Sequence, residues 1–339
     1  MDNAARKDRV PVAVTMGCPA GIGPEIICRL FGRDDGPASG QAIVVGDAAV
    51  LRQAADRLGL TVSIEPWRPG QLAGKGTIPV LQAGPPRTAP VHWGQPDAAT
   101  GRVMGQCIEE AVRLVGTGAC SAIVTCPISK KSLQAAGYPY LGHTEMLAAL
   151  TGTPQVRMMM AGPRLKVVLV TIHVPLRRVP ELLTSAEIAD CIAMTRTALQ
   201  RDFAVARPRI AVAGLNPHGG EHGLFGDEEA QIIAPALAGF AADEVSGPWP
   251  PDTVFHQAAS GRYDAVVALY HDQGLIPFKL LHFQDGVNVT LGLPLVRTSV
   301  DHGTAYDIAG RNLADPSSLA AALILAQTIV ANRRRGGAA

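Results

Sequence analysis

The chain has 339 residues, 47% hydrophobic and 17% charged, which is enough apolar material for a buried core and long enough for two domains or one bilobed one. A formal net charge of +1 excludes a global field that would recruit nucleic acid or an acidic membrane. No apolar run reaches the roughly 20 residues of a membrane helix, and the opening MDNAARKDRV lacks the apolar stretch of a signal peptide, so a cytoplasmic chain is expected. Its six cysteines (Cys18, Cys28, Cys107, Cys120, Cys126 and Cys191) include no C-x-x-C pair and read as reduced thiols in or near a core.

Short β-branched runs predict strands at 10–15, 42–45, 122–125, 166–172, 209–215, 265–270 and 287–291. Helical spacing lies between several of them, as in Val103, Cys107, Ala111 and Leu114. The last helix has a start signal, with Asp315 as N-cap, Pro316 in the first turn and Leu319 and Leu323 beyond; its basic tail, 333–337, is expected to fray. Strands alternating with helices predict an α/β fold with a mostly parallel sheet covered on both faces. After the first strand comes Gly17-Cys18-Pro19-Ala20-Gly21-Ile22-Gly23-Pro24-Glu25, which is not G-x-G-x-x-G, and Pro19 and Pro24 remove two backbone donors. A Rossmann phosphate loop is therefore disfavoured, and the chain carries neither a P-loop motif nor a G-x-S-x-G elbow.

Polar residues gather where strands end. The run from Lys166 leads into His173, that from Arg209 into Asn216-Pro217-His218-Gly219-Gly220-Glu221, and that from Ala265 into Tyr270-His271-Asp272-Gln273-Gly274. Ligands of open parallel sheets bind beyond the carboxyl ends of the strands, so three strands are expected to bring imidazoles to one rim. Three imidazoles with an open position suit a catalytic divalent cation. Taken singly, each histidine reads equally as an ordinary polar loop residue.

Gly142-His143-Thr144-Glu145 precedes an apolar helical stretch, and Thr144 is expected to be its N-cap, leaving N–H groups and a positive dipole end toward any anion. Lys279, Asn288 and Arg297 follow in apolar surroundings, offering a point charge, a neutral donor and a guanidinium fork for phosphate or carboxylate. Asp301-His302-Gly303-Thr304-Ala305 with Asp307 offers a polar, flexible segment able to wrap an adenine-ribose.

Together, the segments 15–25, 142–145, 171–176, 216–229, 270–279, 286–294 and 297–305 resemble the 4-hydroxythreonine-4-phosphate dehydrogenase family of vitamin B6 biosynthesis, over about residues 10–332. The resemblance implies two α/β/α lobes around a central cleft, like isocitrate and isopropylmalate dehydrogenases, with 1–128 plus 300–339 as the first lobe and 129–299 as the second. It implies a homodimer with a shared active site and assigns His173, His218 and His271 to one divalent cation. His143, Thr144, Lys279, Asn288 and Arg297 fall on substrate positions, and Asp301, His302, Gly303, Thr304 and Asp307 on the NAD or NADP loop. Many family members carry Asp or Glu where this chain has Cys18, so no catalytic role is given to Cys18. Related enzymes act on threonate or erythronate 4-phosphate or on aromatic dihydrodiol carboxylates. The His-Thr-Glu and Arg-Thr-Ser motifs favour a phosphorylated substrate.

The chemistry so implied is oxidation of 4-phosphooxy-L-threonine and decarboxylation to 3-amino-2-oxopropyl phosphate. Lys279, Asp252 and Asp272 are the candidates for proton transfer or for orienting the groups that perform it. Three imidazoles favour Zn²⁺ or Co²⁺ over Mg²⁺, which prefers oxygen ligands.

Overall fold

The structure is a computed structural model that describes residues 10–33, 36–71 and 76–336. The chain forms two compact units: one runs to Gln155 and resumes at Leu293–Val330, and the other is Val156–Gly292 with the residues from Ala331 on. Residues 129–155 and 293–299, expected in the second lobe, lie in the first unit.

The first unit holds β1 (Val12–Thr15), β2 (Ala42–Gly46), β3 (Ser63–Pro66), β4 (Thr77–Gln82) and β5 (Ile123–Thr125). The second holds β6 (Arg157–Ala161), β7 (Lys166–Leu169), β8 (Ile210–Ala213), β9 (Val245–Trp249), β10 (Ala265–Ala268) and β11 (Val287–Leu291), after which β12 (Arg297–Val300) belongs to the first. In the first unit the strand order is β3-β4-β2-β1-β5-β12, parallel throughout. Its inner strands are buried residue after residue, as strands covered on both faces must be, while β3 at the edge is mostly exposed.

In the second unit the order is β11-β6-β7-β10-β8-β9. Here β6 runs antiparallel to both neighbours, and β7, β10, β8 and β9 are parallel. Val167, Leu169, Ala211, Ala213, Val266 and Ala268 build the core of this sheet under Val254, Phe255 and Phe278. The mostly parallel α/β expectation therefore holds.

Each expected strand is present, several of them shorter than read. The strands β3, β4, β6, β9 and β12 were not expected. Proline interrupts β3, β4 and β9, and three methionines, weak strand formers, make up most of β6. Neighbouring strands, absent from any local pattern, decide these segments.

The last helix begins at Ser317, so Pro316 and not Asp315 takes the N-cap position, although the Asp315 carboxylate accepts from the Ser317 N–H at 2.9 Å. The tail corrects the expectation of fraying: the helix Ser317–Gly336 continues through its three arginines. Within the second unit Arg333 Nε and Nη2 donate to the Asp202 carboxylate at 2.6 and 3.0 Å, and Asn332 Nδ2 donates to the Asp202 carbonyl at 2.8 Å. Gly337 lies outside the described residues. All six cysteines are buried and free. Among the described residues no helix is long and apolar enough to cross a membrane.

Candidate active site

In the second unit β7, β10 and β8 are consecutive parallel neighbours, so their carboxyl ends emerge along one edge. His173, His271 and His218 follow those three strands. The His173 and His271 rings stand 5.8 Å apart, centroid to centroid. They line a cavity of about 220 Å³ with Thr171, Ile172, Tyr270 and Asp272. Asp272 Oδ1 lies 2.7 Å from His271 Nδ1; with the proton on that nitrogen, Nε2 keeps a lone pair for a cation or a hydroxyl proton.

His218 sits apart from this pair, its ring 6.1 Å from that of Phe225. Among the described residues no group of three or more His, Cys, Asp or Glu stands close enough to hold a metal ion. The described residues of one chain therefore do not supply a closed three-imidazole set. His173 (φ 48°) and His218 (φ 55°) both occupy left-handed backbone, and His218 opens a run of five such residues through His222. Non-glycine residues held there cost on the order of 1 kcal/mol or more each, and they cluster at functional sites.

The remaining candidates of this unit are dispersed. Lys279 lies in the last turn of the helix His271–Leu281, roughly 12 Å along the axis from His271 at 1.5 Å per residue. Asn288 is in β11, opposite Met160. Asp252 is exposed in the first turn of the helix Pro251–Ala259.

In the first unit Arg297 opens β12 and is only 3% exposed. Its Nη2 and Nε donate to Thr125 Oγ1 in β5, at 2.7 and 3.2 Å. Burial lowers the guanidinium to about 10, with Glu145 pulling the other way, so it stays charged at neutral pH. His143 is close enough to feel that charge. Burial first, and Arg297 second, hold its imidazole well below the ordinary 6.5, which keeps it neutral. Its Nε2 is buried with no hydrogen-bond partner among the described residues.

Thr144 is not the N-cap. The helix starts at His143, Gly142 is the cap, and no side chain caps it. The first-turn N–H groups thus face outward without a side-chain acceptor, beside a cation and an unpartnered imidazole nitrogen.

The loop after β12 carries Asp301, His302, Gly303, Thr304 and Asp307. His302 Nδ1 lies 3.0 Å from the Gly303 carbonyl, to which it donates; Nε2 is then an acceptor, buried and without a partner among the described residues. Such an atom fits an exocyclic amine of the adenine kind.

The glycine-rich segment after β1 holds this loop. Ile22 N–H donates to the Thr304 carbonyl at 3.1 Å, and Glu25, 1% exposed, accepts the N–H groups of Gly310 and Ala314 at 3.2 and 3.0 Å. Gly17 (φ 72°) is required, since a Cβ there would lie 2.5 Å from the Pro127 carbonyl oxygen. Sequence reasoning missed the roles of Thr125, Glu25, Gln273 and Glu229. Their one signal is a polar residue set in or beside an apolar run.

These features define an α/β protein with strand-end sites suited to a small anionic ligand and a nucleotide. The family model described as pyridoxal phosphate biosynthetic protein PdxA matches residues 38–326, and the chain belongs to that family. A 4-hydroxythreonine-4-phosphate dehydrogenase from Desulfosudis oleivorans is 52% identical over 326 residues, 93% of this chain and 94% of that protein. The crystal structure of a 4-hydroxythreonine-4-phosphate dehydrogenase from Klebsiella pneumoniae, 44% identical, superposes with a TM-score of 0.86 over 95% of this chain and 98% of that one. A terephthalate 1,2-cis-dihydrodiol dehydrogenase from Burkholderia xenovorans LB400 is more distant, with 29% identity and a TM-score of 0.63 over 94% of this chain and 98% of that one.

Proposed function

We propose that this protein oxidises 4-phosphooxy-L-threonine with NAD or NADP and decarboxylates the product to 3-amino-2-oxopropyl phosphate, a step of pyridoxal phosphate biosynthesis in the cytoplasm. The observation that carries this reading is Arg297, a charged guanidinium 3% exposed and adjacent in charge to a neutral imidazole with an unpartnered nitrogen. A guanidinium fork beside a neutral imidazole nitrogen suits the oxygens of a phosphate. The fork suits the carboxylate of an aromatic dihydrodiol as well as a phosphate. Threonate or erythronate 4-phosphate would meet it equally, and relatives at 44 to 52% identity named for the hydroxythreonine phosphate tip the choice.

In this reading Arg297, His143 Nε2, the Thr144 hydroxyl and the uncapped N–H groups hold the phosphate, and Lys279 and Asn288 complete the substrate's surroundings. The C3 hydroxyl loses its proton while hydride passes from C3 to the nicotinamide, giving a β-keto acid and reduced cofactor. That acid releases carbon dioxide, and its electron pair returns as the enol that becomes the ketone. Asp272 fixes the His271 tautomer. Asp272, Asp252 and Lys279 are the candidates for moving the proton. The loop from Asp301 to Asp307 takes the adenine side of the cofactor, with His302 Nε2 as the amine acceptor.

A divalent cation, Zn²⁺ or Co²⁺ in preference to Mg²⁺, belongs to this reading, held by His173, His218 and His271; bound, it supplies Lewis acidity at the C3 hydroxyl. The site is proposed to be shared between two copies of the chain. Exposed Leu176 (67%), Ile276 (61%), Leu280 (82%) and Phe283 (79%), near the imidazole pocket or along the helix that starts at His271, support an apolar partner surface.

The test mixes two inactive variants, Arg297→Met and His271→Ala. If each site draws one residue from each copy, unfolding and refolding the mixture restores about a quarter of wild-type activity on 4-phosphooxy-L-threonine, because half the dimers are mixed and one of their two sites is intact. Activity of the mixture no higher than that of either variant defeats the shared site. Wild-type activity of Arg297→Met alone defeats the substrate assignment.

A further inference from the structure

The imidazole-bearing loops of the second unit are joined by a run of hydrogen bonds that no role above uses. Thr171, two residues before His173, donates its hydroxyl to the Leu269 carbonyl at 2.7 Å and its N–H to the same oxygen at 3.2 Å. Leu269, two residues before His271, donates its N–H to Gln273 Oε1 at 2.7 Å. Gln273 Nε2 then donates to the Gly214 carbonyl at 2.7 Å. Beyond Gly214, the N–H groups of Leu215 and Asn216 both end on Glu229 Oε1, at 2.8 and 2.7 Å, and Asn216 Nδ2 reaches Glu229 Oε2 at 3.0 Å. The run crosses β7, β10 and β8 in the order in which they lie in the sheet.

The regular strands end at Leu169, Ala268 and Ala213, and backbone bonds run on through the Val170 and Thr171 N–H groups to the Ala268 and Leu269 carbonyls and through the Gly214 N–H to the Trp249 carbonyl. Past that point each buried backbone group needs another partner, or the loop leaves the sheet to find water. A side-chain amide has what this place demands, a donor and an acceptor on one rigid group, turned to a carbonyl on one strand and an N–H on the next. Those two partners also fix which end of the amide is oxygen. Gln273 is 8% exposed and Glu229 6%, so water does not substitute for either. Gly220 makes room for the carboxylate, since a Cβ there would lie 2.6 Å from Glu229 Oε2.

We propose that Gln273 is a positioning residue that couples the loop of His271 to the loop of His218, with Glu229 fixing the His218 side. Its consequence for turnover rests on the reading of these imidazoles as part of the working site; the coupling itself does not. Gln273→Met keeps the size of the side chain and removes both hydrogen bonds.

Hydrogen–deuterium exchange on the full-length protein should show the Leu269, Leu215 and Asn216 amides exchanging about tenfold faster or more, both loops together, while the helix Ser185–Arg201 is unchanged. The kcat should fall about tenfold or more with the KM for NAD held, as expected when reacting groups lose their alignment. Gln273→Glu is the second arm. It keeps the acceptor for Leu269 but sets a carboxylate against the Gly214 carbonyl, so only the 214–216 amides should loosen at neutral pH.

Wild-type exchange in Gln273→Met overturns the coupling. So does a Gln273→Glu protein that keeps wild-type protection of the 214–216 amides, which also decides the matter if the methionine variant does not fold. His218→Ala and His271→Ala run alongside. Full activity in both removes the site reading and leaves the exchange result to judge the coupling; loss of activity in both with a wild-type Gln273→Met removes the coupling alone.

Discussion

Thr125→Val isolates what holds the buried guanidinium. Thr125 is fully buried in β5, and its hydroxyl accepts Arg297 Nη2 at 2.7 Å and Nε at 3.2 Å. Valine matches threonine in shape, so no cavity opens and the loss is that of the acceptor. Hydrogen bonds to charged groups contribute about 1.5–3 kcal/mol, and the longer of these two lies near the limit of useful length, so about 2–3 kcal/mol of stability should go. Losing charge does not relieve the strain at neutral pH, since the guanidinium is lowered only to about 10.

The assay is urea unfolding at pH 7, read as a shift of the midpoint at constant slope. Saturating phosphorylated substrate should recover part of the deficit, because the ligand binds the folded state and offers the acceptor that valine lacks. The KM for that substrate should rise about tenfold as the fork loses its orientation, with the KM for NAD unchanged. An unfolding midpoint and a substrate KM both at wild-type values would refute the claim that this hydroxyl fixes Arg297.

Other outcomes follow from the same geometry. His302→Leu removes the buried acceptor and should raise the KM for NAD or NADP by about tenfold in steady-state kinetics, leaving the substrate KM alone. His143 is neutral in the folded state because its imidazole is held well below 6.5. The unfolded chain therefore takes up the proton first as pH falls below about 6.5, and the folded state loses stability from there toward the lower folded value. Urea midpoints from pH 7 to pH 5 should fall less steeply in His143→Gln than in the wild type. Cys18→Asp should fold and keep near wild-type kinetics, whereas Cys18→Val should lower thermal stability.

Much of the site was legible as strands that end in chemistry. The runs into His173, His218 and His271 are apolar and short, so where they stop is plain in the sequence, and the parallel order β7-β10-β8 brings those stops to one edge. What could not be read is how the loops turn after the strand. His218 enters a left-handed run, and no spacing rule encodes that. Thr144 looks like a cap because threonine usually is one, yet Gly142 takes the place and the helix begins two residues earlier than that reading requires. Arg297 falls in no strand expected from the sequence, although pairing with β5 makes it the first residue of one. The tail looks free because its partner, Asp202, is more than a hundred residues away in sequence.

The glycine-rich segment after β1 shows why excluding a dinucleotide fingerprint did not make it idle. Burial pushes the Cys18 thiol above its ordinary value, against the pull of hydrogen bonds from the Tyr306 hydroxyl and the Ala20 and Gly21 N–H groups. Three donors turned on one atom make an acceptor position, which a neutral thiol fills here. Seven residues on, Glu25 gathers two more N–H groups from the far side of the same loop, at Gly310 and Ala314. The segment spends its polar groups on backbone and on Tyr306, and none is shown reaching outward to a ligand. Its hydrogen bonds set the shape of the loop from Asp301 to Gly310, the loop proposed to meet the nucleotide.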